Sequence, residues 1–287
     1  MSEPHRLHRD SLTTLVNQVD ALVPGSIPPD TIPTGFASLD QILGGGMRRR
    51  DLVGLGGDVG SGKSSLALAM ALRSAAAGYR VSFFSGEMDE DRLMERAVAL
   101  EARVTVDEMR SARLSEPKRA AVGAAALKYR DLSLHIHPIV GQTFEEALAP
   151  AWDEEPVLLV IDYLQLLPPH TFRATQDEDL AVTVRALKTL ALERHIACLV
   201  VAQLPQHVHS RPDPRPTLDD FGALGSVKQH ADVVLALYRE EMYRPGGGVE
   251  GATELRIAKN RNGPSGFIDL YFYQQWLRFE DMLDPEP

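Results

Sequence analysis

The segment Gly57–Ser64, GDVGSGKS, constrains this chain more than any other, because it fits G-x-x-x-x-G-K-[ST]. Its glycines let the backbone wrap closely, so that N–H groups face phosphate oxygens. A helix opening near Lys63 adds the positive end of its dipole. Lys63 supplies a point charge for the outer phosphates, and the Ser64 hydroxyl a ligand for Mg²⁺. Gly57, Asp58, Val59, Gly60, Ser61, Gly62 and Ser65 complete the phosphate-binding turn. Such a turn needs a strand before it and a helix after it. Asp51–Gly56 (DLVGLG) reads as that strand and Lys63–Ala77 as that helix. The competing reading is a structural glycine turn.

The rest of the chain repeats the alternation. Strands are expected at Val81–Phe84, Leu132–His137, Val157–Ile161 and Ala197–Ala202. Helices are expected at Asp89–Glu101, over 104–130, through Ala149 and at Asp179–Arg194, where Leu180, Val184, Leu187 and Leu190 form one stripe. Continuous apolar runs such as Val157–Ile161 are typical of strands buried on both faces. The pattern therefore predicts an α/β fold with a mostly parallel central sheet flanked by helices. Past Asp232 it changes: Val233–Tyr238, Thr253–Lys259 and Phe267–Tyr273 read as strands, the last two flanking Asn262-Gly263 as an antiparallel hairpin.

Ahead of this domain, residues 6–23 read as an amphipathic helix with Leu12, Leu15, Val16, Val19, Leu22 and Val23 on one face. Pro24-Gly25 ends it and Pro28-Pro29 stiffens the link. It either folds back on its own domain or packs on a neighbouring subunit. The expected division is 1–31 for helix and linker, 32–280 for the main domain and 281–287 for a short tail.

Composition limits the function. The formal net charge of −10 excludes a surface blanketed in positive charge, though not a local basic channel. The single cysteine, Cys198, excludes an intramolecular disulfide and a cysteine-rich zinc site, and fits a reducing cytoplasm. No apolar run approaches the ~20 residues of a membrane span.

Ligands of open α/β sheets bind beyond the carboxyl ends of the strands. Asp162 closes VLLVID and fits a Mg²⁺ partner, or else caps the next element. Glu87, in FFSGEM, fits polarisation of an attacking water, or a helix N-terminal carboxylate. Gln203, after ACLVVA, fits a γ-phosphate sensor or a satisfied buried amide. Lys259 and Arg261, in KNRNGP, read either as a solvated basic turn or as cations reaching a neighbour's phosphate.

Thr34-Gly35-Phe36 with Leu39-Asp40, the phosphate loop, FFSGEM, IDYLQL at Ile161–Leu166, AQL at Ala202–Leu204, GSVKQHADVVLALYREEMY at Gly225–Tyr243 and KNRNGPSG at Lys259–Gly266 occur in the order of the C-terminal motor domain of DnaB-type bacterial replicative helicases. The chain resembles that family over about residues 32–280. The resemblance implies a RecA-like P-loop NTPase fold that uses ATP with Mg²⁺ and assembles into a ring, typically of six copies, acting on single-stranded DNA. It implies Lys63 and Ser64 at the phosphates and Mg²⁺, Glu87 as catalytic glutamate, Asp162 as Mg²⁺-site aspartate and Gln203 as sensor. Lys259 and Arg261 would act in trans, and the N-terminal helix would dock on the adjacent subunit. Two departures stand out. No room is seen for the family's primase-binding N-terminal domain. The family's DNA-facing loop carries an Arg-Glu pair where this chain has Phe221–Ser226, FGALGS. Arg211, Arg215, Lys228 and the backbone N–H groups of Gly222 and Gly225 remain as candidate DNA contacts. The readings left open are a single-stranded DNA translocase or helicase, and a DnaB-like ATPase without helicase activity serving as a nucleotide-gated assembly or regulatory protein.

Overall fold

The computed structural model describes residues 12–17, 19–20, 27–171, 173, 175–204, 211–221 and 227–282. A small antiparallel pair, β1 (Thr31–Ile32) and β2 (Met47–Arg48), precedes the main sheet. Then come β3 (Leu52–Gly57), β4 (Val81–Ser85), β5 (Leu134–Pro138), β6 (Leu158–Asp162), β7 (Ala197–Gln203), β8 (Val233–Arg239), β9 (Ala252–Asn260), β10 (Gly266–Tyr273) and β11 (Arg278–Asp281). Among the described residues these nine make one sheet in the order β11-β10-β9-β8-β3-β7-β6-β4-β5. The neighbours from β8 to β5 pair in parallel; β8–β9, β9–β10 and β10–β11 are antiparallel. The expected RecA-like arrangement and the C-terminal hairpin are thus present.

Period-two alternation sorts β3 onto two cores. Val53 and Leu55 join the helix Lys63–Ala76 on one face; Leu52 joins the side of the helix Gln176–Arg194. Gly54 and Gly56 are small on that second face because a Cβ would come within 2.7 Å of Val227 and 2.4 Å of Phe221. Phe221 and Val227 therefore pack directly onto the strand that feeds the phosphate loop.

Three expectations are refined. The helical stretch over 104–130 divides into Val106–Arg110 and Glu116–Arg130. A capping box of Thr105 and Glu108 opens the first piece, Ala112 turns at φ 55°, and a proline in the first turn restarts the second. The helix expected through Ala149 ends at Leu148 and continues as a 3₁₀ turn over Ala149–Glu154. β11 was not foreseen: RFED is short and charged, and becomes a strand by pairing with β10 while Asp281 accepts Ser38 N–H and O–H at 2.7 and 2.5 Å. Helical backbone is present at 12–17 and 19–20, with Leu12, Leu15, Val16 and Val19 all exposed; Leu22 and Val23 lie outside the described residues.

Candidate nucleotide site

β3, β4, β6 and β7 are parallel, so their carboxyl ends share one edge of the sheet. Lys63, Ser64, Glu87, Asp162 and Gln203 line the same cavity there, about 290 Å³ in volume, with Val59, Gly60, Gly62 and Ser65 on its wall. The helix Lys63–Ala76 opens on Gly62, whose φ of 101° is left-handed and whose missing Cβ leaves room for the Phe279 ring. Its first-turn N–H groups have no side-chain cap from Gly62 and face the loop.

The electrostatics are strained by burial. Lys63 is 7% exposed and donates to the Asp58 carbonyl at 2.7 Å. Desolvation lowers its pKa to about 8, against the pull of Asp162, Asp58 and Glu87. Asp162 is 2% exposed and accepts the Ser64 hydroxyl at 3.1 Å. Burial raises its pKa to about 6; the Ser64 bond opposes this and Glu87 adds to it. Glu87 sits in the exposed turn after β4 and bonds the Tyr163 hydroxyl. Gln203 is half-buried, its carbonyl accepting from Gln165 at 3.3 Å. The Ser64 and Asp162 oxygens are hard donors already side by side, which fits Mg²⁺, a cation bound by few protein oxygens alongside water and phosphate.

Residues not singled out from the sequence complete the wall: Arg96, Tyr163, Arg239, Phe272, Gln274 and Leu277. Arg239 is 4% exposed, ion-paired with Glu241, stacked 4.5 Å over Phe272, and donates to the Gly60 carbonyl at 3.1 Å. Tyr243 holds the Asp58 carboxylate at 3.2 Å. An arginine ending the apolar run VVLALYR was the available signal for the first; nothing local marked the others.

Lys259 and Arg261 lie elsewhere. Arg261 N–H donates to the Asp232 carbonyl at 2.9 Å, and Asp232 N–H donates to the Leu52 carbonyl at 2.8 Å. Both residues therefore sit at the amino end of β3, separated from the phosphate loop by the strand's rise of about 17 Å. Lys259 donates to the carbonyls of Lys228 and Ala231 at 2.9 and 2.6 Å, at the end of the short helix Val227–His230. Arg261 pairs with Asp232 at 3.2 Å.

The three described DNA-contact candidates have carboxylate partners within the chain. Arg211 pairs with Asp220 at 2.8 Å, Arg215 with Glu254 at 3.0 Å, and Lys228 with Asp219. Gly222 and Gly225 lie outside the described residues.

The family model for the DnaB-like helicase C terminal domain matches residues 31–281. The replicative DNA helicase DnaB of Leifsonia xyli subsp. xyli is 29% identical over 95% of this chain and 61% of its own length. That of Geobacillus stearothermophilus is 30% identical over 88% of this chain and 56% of its own. The chain thus spans less than two thirds of the length of these relatives. Among solved structures, an ATPase domain determined on its own superposes with a TM-score of 0.86 at 26% identity, covering 96% of this chain and 98% of that one. A DnaB-like replicative helicase studied for its interactions with primase gives 0.87 at 26% identity, covering 94% and 67%.

Proposed function

The chain belongs to the DnaB-like helicase C-terminal domain family, and from that premise we propose that it is an ATP-hydrolysing, ring-forming motor that moves along single-stranded DNA. The observation carrying this is the convergence of Lys63, Ser64, Asp162, Glu87 and Gln203 on one cavity at the carboxyl edge of the sheet.

In this reading the loop N–H groups and the helix N-terminus cradle the phosphates of ATP. Lys63 leaves the Asp58 carbonyl for the outer phosphates, which restores the charge balance that burial denies it. Ser64 and Asp162 hold Mg²⁺, which when bound neutralises charge on the β- and γ-oxygens. Glu87 orients a water whose oxygen bonds to the γ-phosphorus as the bond to the β-phosphate oxygen breaks; the released proton leaves through the carboxylate. Gln203, at the end of β7, meets the γ-phosphate by its amide.

Arg261 completes this site in trans. Its place about 17 Å down the sheet puts it out of reach of its own phosphate loop and supports contact with an adjacent copy's nucleotide. The exposed stripe of Leu12, Leu15, Val16 and Val19 supports a second contact between copies, the N-terminal helix docking on its neighbour. Head-to-tail contacts of this kind close into rings. Deleting residues 1–24 should then give a smaller species by light scattering; an unchanged mass would return the helix to its own domain.

A second reading, an ATPase without helicase activity that gates assembly, is favoured by one observation. The charges of Arg211, Arg215 and Lys228 are met by carboxylates of this chain. ATP turnover with and without single-stranded DNA decides between them. The motor reading expects stimulation that declines with rising salt, because phosphate contacts release counterions. A response flat at every salt concentration selects the second reading.

A further inference from the structure

The amino edge of the sheet holds a second buried charge cluster, built around Asp232. This residue stands between the short helix Val227–His230 and β8, and its side chain is 8% exposed. One carboxylate oxygen accepts the Leu52 N–H at 2.9 Å and the Lys188 ammonium at 2.6 Å. The other accepts from Arg261 at 3.2 Å. Lys188 is fixed in turn by the Arg50 carbonyl at 2.7 Å. Arg261 also gives one N–H to the Gln229 carbonyl at 2.9 Å, yet remains 49% exposed, so its outer face carries N–H groups free of these bonds. Asn262 ties the same turn to Asp51 at 2.5 Å.

A lone buried carboxylate between two cations is costly unless it is held rigidly and fully bonded. Here it is both, on three sides. The long arginine side chain, which would otherwise lose entropy on meeting a phosphate, is already fixed in one direction.

We propose that Asp232, anchored by Leu52 N–H and Lys188, is the positioning residue of Arg261 and fixes where that guanidinium meets the nucleotide of an adjacent subunit. This rests on the reading of Arg261 as acting in trans. Asp232 touches neither nucleotide; its effect runs through Arg261 alone. Misplacing a catalytic group by about 1 Å costs up to ~10²-fold in rate.

The test uses the full chain as its oligomer. Asp232→Asn keeps the shape and removes the charge. It should lower kcat about 10- to 100-fold while leaving KM and nucleotide affinity unchanged. Mixed with Lys63→Ala subunits, which retain Asp232 and Arg261, it should regain activity, because an intact Arg261 then faces an intact phosphate loop. Arg261→Ala mixed with Lys63→Ala is the reference. If that reference pair recovers and the Asp232→Asn pair does not, Asp232 serves its own subunit's structure and the proposal falls alone. If the reference pair fails to recover in mixed oligomers that demonstrably form, the trans reading falls and takes the proposal with it. Wild-type turnover of Asp232→Asn, or a raised KM at unchanged kcat, also overturns it. Should Asp232→Asn not fold, Asp232→Glu keeps the anion for Leu52 and Lys188 but moves it by one methylene. It should show the same loss of kcat at constant KM and the same recovery on mixing; wild-type kinetics would overturn the proposal.

Discussion

The two edges of the central sheet treat buried charge in opposite ways. At the carboxyl edge, Lys63 and Asp162 are almost fully desolvated and bonded mainly to neutral partners, the Asp58 carbonyl and the Ser64 hydroxyl. Both titrate far from their ordinary values, to about 8 and about 6. At the amino edge, Asp232 is matched directly by Lys188 and Arg261, and Lys259 is docked on carbonyls. The first edge is ready for a highly charged ligand that will compensate it. The second is complete as it stands and presents a cation in a fixed posture. β3 and β8 run the length between them, so a ligand at one edge and a neighbour at the other share the same strands.

The contrast is broken most forcefully by substitution at each edge. Arg261→Ala should bind ATP normally but turn it over ~10³-fold more slowly or worse, the usual scale for a trans arginine. Lys63→Ala should instead lose nucleotide binding, by about 10²- to 10³-fold for an unpaired buried charge contact. Nucleotide affinity measured beside steady-state rates separates the two. Equal loss of affinity in both would mean that the edges do not divide binding from rate. Glu87→Gln sharpens the carboxyl edge: binding should persist while turnover falls roughly 10²- to 10⁴-fold, and a wild-type rate would move the catalytic role to another carboxylate.

pH probes the same asymmetry more gently. In the free protein Lys63 is charged below about 8 and Asp162 is ionised above about 6, so nucleotide with Mg²⁺ should bind best between those values. Phosphate favours charged Lys63, so binding takes up a proton above pH 8, and affinity should fall by up to ~10-fold per pH unit there. Stability moves the other way. The unfolded chain keeps Lys63 protonated up to its ordinary value of 10.5. It therefore binds more protons than the native state above pH 8, and Lys63's contribution to the free protein's stability rises with pH. Titration calorimetry in buffers of different ionisation enthalpy reads the proton uptake. Binding without it would place the charge change elsewhere.

The smallest effect tests the strand joining the edges. Gly56→Ala puts a methyl 2.4 Å from the Phe221 ring. Overpacking of this kind should cost about 1–3 kcal/mol, read as a lower denaturant midpoint at unchanged slope. A midpoint equal to wild type would mean that Phe221 yields freely and does not brace β3.

Much of the carboxyl edge was legible because its information is local. A glycine-rich turn between an apolar run and a helix dictates its own backbone course. Parallel strands likewise bring whatever follows each apolar run to one edge, which is why Glu87, Asp162 and Gln203 line the cavity with Lys63 and Ser64. The amino edge and the cavity's far wall were not legible in that way. Arg239 meets Gly60 across 179 residues, Asp232 meets Leu52 across 180, and Asp281 meets Ser38 across 243. The carboxylates beside Arg211, Arg215 and Lys228 are likewise known only once β8 lies beside β9 and the turn Leu218–Phe221 folds beneath them. By itself the sequence determined the phosphate loop, the alternation of strands and helices and the residues ending each strand, since backbone propensity and hydrophobic period act over a few residues. Only the tertiary structure decided which charge answers which, because a charge's partner depends on the strand order that brings distant residues within hydrogen-bonding distance.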